Sequence, residues 1–135
     1  MLPFITLFTG KKKNGLPSGL PEKGANLANA VLSNLNLSGE SLPMADFYSA
    51  NLCNTNLSKA NLVQAYFVAA NLRNADLSST NLAGANFRKA DLQGANLKDA
   101  NLRHAIFDDD TRLPFSIDDA IKLGMRQNNE PIGLP

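Results

Sequence analysis

The sequence predicts an all-β fold, a four-sided parallel solenoid with about four coils of twenty residues each. Three observations carry that expectation. From Leu27 to Phe107 every fifth residue is Leu or Phe, giving seventeen centres without a break. Two positions before a centre, thirteen of the seventeen residues are Ala; one position before, thirteen of the seventeen are Asn or Asp. Among the centres, Phe occupies only 47, 67, 87 and 107, twenty residues apart.

A period of five suits neither a helix of 3.6 residues per turn nor a strand alternating by two. It does suit a short extended segment followed by a turn. The small and the large apolar residue point to one side of the segment, and Asn, Asp, Ser and Gly supply turn chemistry. The two positions after each centre vary without an evident rule. If one coil is four such sides, Phe47, Phe67, Phe87 and Phe107 form one interior column and Leu fills the other three. Four levels at strand spacing make a rod about 20 Å long. Asparagines that recur every twenty residues, such as Asn61, Asn81 and Asn101, are expected to act as turn formers and as ladder rungs between coils.

The elements follow in chain order. Residues 1–24 read as an N-terminal arm and linker: "PFITLF" is either a capping strand or an arm seeking a partner, and "KKKNGLPSGLPEKG" is rich in Lys, Gly and Pro. Residues 25–109 are the repeat. Its weak spot is 35–47, where Leu35 is oversized for a small-residue slot and Pro43 withdraws a backbone donor. Glu40 falls in that stretch at an inward position, where an unpaired carboxylate is costly. A local bulge releasing Glu40 to solvent is the expectation. Residues 110–135 form a C-terminal capping helix and tail. The helix is expected over 116–123, with Ser116 and Asp119 resembling a capping box, Ile117, Ala120, Ile121 and Met125 as its apolar face, and Gly124 as its stop.

The unbroken run A-(N/D)-(L/F)-x-x from Ala25 to Asp109 resembles the pentapeptide-repeat proteins over 85 of the 135 residues. The resemblance implies a right-handed quadrilateral β-helix, a handedness the period alone does not give. It also raises one functional alternative: some members mimic duplex DNA and modulate a type II topoisomerase (gyrase). Mimicry of that kind needs dense negative charge along a long rod. Residues 25–109 hold six Lys and Arg against seven Asp and Glu, a net of −1, so that reading is disfavoured.

The formal net charge of the whole chain is +1, which favours neither nucleic acid nor an acidic surface. No apolar run is long enough to span a bilayer. Positive charges follow the short apolar start rather than precede it, unlike a secretory signal. A cytoplasmic chain is therefore expected, with a removed or membrane-touching N-terminus as the minority alternative. Cys53 is the only cysteine and His104 the only histidine, which leaves little for a metal site or a His-dependent triad. Cys53 reads as an inert thiol, and Asp108-Asp109-Asp110 as a solvated turn rather than a chelating set. No paired catalytic carboxylates, phosphate loop or triad emerges. The chain thus reads as non-catalytic, without catalytic, cofactor or metal residues. What remains is Tyr48, Val63, Tyr66 and Val68, apolar or aromatic residues at outward positions on and beside the Phe side. They are the candidate patch for a protein partner, with self-association through a solenoid end or the N-terminal arm as a further expectation.

Overall fold

In the computed structural model, residues 15, 16 and 19–133 are described, and the "PFITLF" arm lies outside them. The chain winds as a parallel β-helix with four ladders of bridges. One runs Asn26, Asp46, Tyr66, Asn86, Ile106; a second Val31, Asn51, Asn71, Asp91; a third Asn36, Asn56, Asp76, Asn96; a fourth Ser41, Asn61, Asn81, Asn101. Every step in these ladders is twenty residues. The bridges are single-residue contacts rather than extended strands, because a pentad that spends two residues on a turn has too few left for more.

The pentad 70–74 shows how five backbone donors are satisfied. Ala70 N–H donates to Phe67 O at 3.0 Å, Asn71 N–H to Ala50 O one coil below at 2.9 Å, and Leu72 N–H to Asp91 O one coil above at 2.8 Å. Asn74 N–H donates to Gln93 O at 3.0 Å. The fifth donor, Arg73 N–H, goes to the Asn71 side-chain Oδ1 at 3.1 Å. All thirteen Asn and Asp residues before a centre accept this same bond from the N–H two residues on. Each is an Asx-turn that occupies the one donor the coil ladder leaves over. The expected asparagine ladder is correspondingly slight: among the described residues, Asn101 Nδ2 to Asn81 Oδ1 at 3.3 Å links one stacked pair.

Each corner is a four-residue turn closed from the centre's carbonyl, as in Leu72 O to Ala75 N–H at 3.1 Å. Its second central residue has positive φ in all sixteen pentads from Asn29 to His104, between 53° and 75°. The first central residue does not, which is type II geometry. The second variable position is therefore constrained, and none of its sixteen residues is β-branched.

This pattern corrects the expected bulge at Glu40. The coil stays regular there: Glu40 N–H donates to Leu37 O at 3.2 Å and its carbonyl accepts from Asn61 N–H at 2.9 Å. Glu40 keeps its inward slot and is half-buried. Pro43 fits because it stands at the first central position of its turn, which type II turns favour for proline. Its missing N–H is also the one that an Asx side chain would otherwise take, and Ser41, two residues before it, offers no carboxamide. Leu35 leans toward the N-terminal end, where a Cβ on Gly15 would meet its Cδ2 at 3.2 Å. The stretch read as a linker is packed at this point, since Leu16 is fully buried in the core.

Sixteen of the seventeen centres are buried; Leu97, near the C-terminal end, is half-exposed. The rings of Phe47 and Phe67 stack with centroids 4.9 Å apart and planes 4° from parallel, and Phe67 stacks on Phe87 at 5.2 Å and 4°. These separations are the coil spacing itself. Thr55 and Thr80 replace Ala in inward slots without leaving a buried hydroxyl unpaired. They donate to Leu32 O at 2.9 Å and Leu57 O at 3.0 Å.

After Phe107 the period slips. Asp91 pairs with Arg112, a step of twenty-one. The chain then forms helix α1, Ile117–Lys122, capped by Ser116 Oγ accepting from Asp119 N–H at 3.1 Å. Ala120 and Met125 are buried, but Ile117 and Ile121 are half-exposed, which corrects the expected apolar face. A helix this short presents essentially one position to the coil end, and Ala120 holds it. Beyond Gly124, β2 (Arg126–Gln127) pairs in parallel with β1 (Ile106–Phe107) and adds a further rung to the first ladder.

Candidate functional site

The outward column just past the Phe centres runs Ala28, Tyr48, Val68, Arg88, Asp108, one residue per level. First turn positions on the other three sides are half-buried or exposed. In this column Val68 is 2% exposed, Arg88 8% and Asp108 7%. Tyr48 at the lower end is 45% exposed. Tyr66 stands beside the column in the ladder of Asp46 and Asn86. Tyr48, Tyr66 and Val68 thus line one groove of about 530 Å³, together with Ala28, Asp46, Ala69, Lys89, Ile132 and Gly133. Val63 lies on the preceding side of the coil and does not reach this groove.

The upper end of the column is polar. A second cleft of about 380 Å³ is lined by Arg88, Lys89, the three aspartates 108–110 and the tail residues 129–132. Asp108 Oδ1 accepts from Lys89 N–H at 3.0 Å and Asp110 N–H at 3.1 Å. Thr111 Oγ1 accepts from Asp108 N–H at 2.9 Å and reaches Phe87 O at 3.0 Å. Arg88 Nε lies 3.7 Å from Asp108 Oδ2, inside ion-pair range, yet it is buried without a hydrogen-bond partner. Asp108 is therefore no solvated turn residue. Its carboxylate gathers the donors that the extra residue after Phe107 would leave loose.

The repeats match the pentapeptide-repeat family in eight copies, over residues 45–82 and 70–109. A solved pentapeptide repeat protein, alr5209 from Nostoc PCC 7120, is 33% identical over 79% of this chain and 85% of its own, with a TM-score of 0.60. The chain belongs to the pentapeptide-repeat family. Rfr23 from the cyanobacterium Cyanothece 51142 is 37% identical over 67% of this chain and 61% of its own, at a TM-score of 0.42. A pentapeptide repeat protein from the Arabidopsis thaliana thylakoid lumen is 28% identical over 76% of this chain and 75% of its own, at 0.36. A comparison with curated proteins finds no match. Pentapeptide-repeat proteins are generally structural or interaction modules.

The other residues singled out in this pentapeptide-repeat chain stand apart. His104 is exposed, and Cys53 is a half-buried free thiol beside Asn54 Nδ2. Asp91 pairs with Arg73 at 3.1 Å on the side following the Phe column. Burial pulls the Asp91 carboxyl upward, but the Gln93 backbone N–H and the Arg73 guanidinium together hold it below its ordinary value. Among the described residues no three His, Cys, Asp or Glu side chains gather where a metal could sit, and no helix is long and apolar enough to cross a membrane. Sequence reasoning missed the pairing of Arg88 with Asp108. The available signal was their spacing of twenty, one coil, in the same outward column as Tyr48 and Val68.

Proposed function

We propose that this chain is a non-catalytic protein-binding rod, a right-handed quadrilateral β-helix of about four coils that engages a protein partner through the Tyr48–Tyr66–Val68 face. The observation that supports this most is the groove itself. The only two tyrosines of the chain line it with a valine, and Asp46 and Lys89 line it too. Aromatic and aliphatic side chains lining one groove together with two opposite charges suit a protein-binding patch. Tyrosine contributes a large contact area and a polar tip at modest ordering cost.

The test is capture of partners from the native cell by tagged protein, alongside the Tyr48→Ser/Tyr66→Ser double variant, with light scattering to fix the oligomeric state of each. The expected outcome is loss of the captured partner with the double variant at unchanged oligomeric state. Partner retention equal to that of the unsubstituted chain sinks the assignment to this face.

A further inference from the structure

We infer that the C-terminal tail, residues 129–133, is a displaceable strap over the Tyr48–Val68–Arg88 face and has to lift before that face can receive anything else. The part of this inference that concerns a partner rests on the function proposed above; the strap itself does not.

Val68 occupies an outward position, the same place in its pentad as Cys53 and Arg73, yet it is almost wholly buried. The tail is the element at hand to cover it. Asn128 N–H donates to Phe107 O at 2.8 Å, Asp109 N–H donates to Asn129 Oδ1 at 2.9 Å, and Gln127 Nε2 donates to Asp109 Oδ1 at 2.6 Å. These bonds fix the start of the tail at the level of Asp108. From there the chain descends along the column. Ile132 borders the Arg88 cleft and also the Tyr48–Tyr66–Val68 groove, and Gly133 borders the groove.

The attachment is strong at one end and weak at the other. Beyond Asn129 the tail makes no backbone hydrogen bond to the coil among the described residues; Glu130 N–H turns back to Asn128 Oδ1 at 2.9 Å. Pro131 has no N–H to donate. Ile132, half-buried, is left as the apolar contact that holds the far part of the described tail. A segment with few buried contacts and no ladder bonds opens at the low end of the local-unfolding range. The rigid coil beneath it does not need to move. A partner that binds only the uncovered face has its apparent affinity reduced by the fraction of molecules in which the tail is lifted.

The test uses a thiol at the covered position. In a Cys53→Ser background, Val68→Cys places the only sulfhydryl under the strap, and cysteine is already accepted at this place in a pentad by residue 53 itself. Its rate of reaction with a maleimide is compared between the full chain and the chain ending at Asn128. Where the truncated chain does not fold cooperatively, full-length Ile132→Asp serves as the open reference. The expected result is protection in the full chain of about tenfold to a thousandfold, matching an open population of roughly 0.1–10%, and unchanged by urea below the unfolding transition. Protection of threefold or more that ignores such urea supports the strap. Protection below threefold, or protection that already declines with urea below the transition along the slope of global unfolding, overturns it. No partner enters this measurement, so its failure and that of the binding-face assignment are read separately.

Discussion

Lys59 sits at the second central position of its turn with φ +60°, where the Cβ of an L-residue crowds the neighbouring carbonyl at a cost of about 1–2 kcal/mol. Part of that cost is recovered with glycine, offset by the extra freedom glycine gains in the unfolded chain. Lys59→Gly should therefore raise stability by about 0.5–1 kcal/mol, a rise in Tm of about 2–4 °C. Lys59→Val should lower stability by at least as much, because a β-branched residue at positive φ is a genuine outlier. Thermal unfolding of the two variants checks both signs, and a valine variant as stable as the parent would show that the corner tolerates any residue. The same logic explains why the two variable positions look alike in the sequence and differ in the structure. The composition of the second, with four Asn, three Gly, two Ser and one Asp among sixteen, held the signal, but only the backbone angle separates it from the first position. Asparagines and aspartates before the centres likewise read as turn formers from their type; that every one accepts the spare N–H of its own corner needed the coordinates.

Among the elements, the corner Asp108–Thr111 does most to define the C-terminal end. Asp108 is buried with its carboxylate accepting backbone N–H groups of Lys89 and Asp110, whereas Arg88, one level below it in the same column, has its Nε in ion-pair range of Asp108 but without a hydrogen bond. Removing the carboxylate strands both the two donors and a buried guanidinium. Asp108→Ala should cost about 3–5 kcal/mol. Arg88→Met keeps the packing volume and removes an unsatisfied group but leaves the Asp108 carboxylate without its cation, still held by the N–H groups of Lys89 and Asp110, so it should cost less, about 1–2 kcal/mol. Urea unfolding of the two variants measures this ordering, and equal losses would mean that the ion pair, not the backbone cradle, holds the corner. Helix α1 follows the same corner. Its cap at Ser116 was legible because a capping side chain acts locally. Which of its apolar residues turn inward was not, because that depends on how six residues meet the end of a coil.

At the scale of the whole molecule, repetition is what made the fold readable. Every interior column is written four or five times along the chain, and the Phe column gave the coil length before any contact was known. Its central ring, Phe67, is sandwiched between Phe47 and Phe87, so Phe67→Ala opens a gap that coils above and below cannot both close. The expected loss is about 3–5 kcal/mol, measurable by calorimetry, and a melting curve identical to the parent's would contradict the stacked column. Function was far less legible. Tyr48 and Val68 are twenty residues apart and Ile132 is a further sixty-four away; a groove made by all three has no local signature. The step of twenty-one at Arg112 carries a different message. A lattice with one repeat length offers the same edge at each new layer, and identical edges are an invitation to stack copies without limit. One supernumerary residue after Phe107 puts the last rung of the second wall at Arg112, one residue out of step with the rungs before it. Past that rung the chain leaves the coil for helix α1 and returns only as Arg126–Gln127 beside Ile106–Phe107, so the third and fourth walls gain no further rung among the described residues and the last edge is unlike the layers below it.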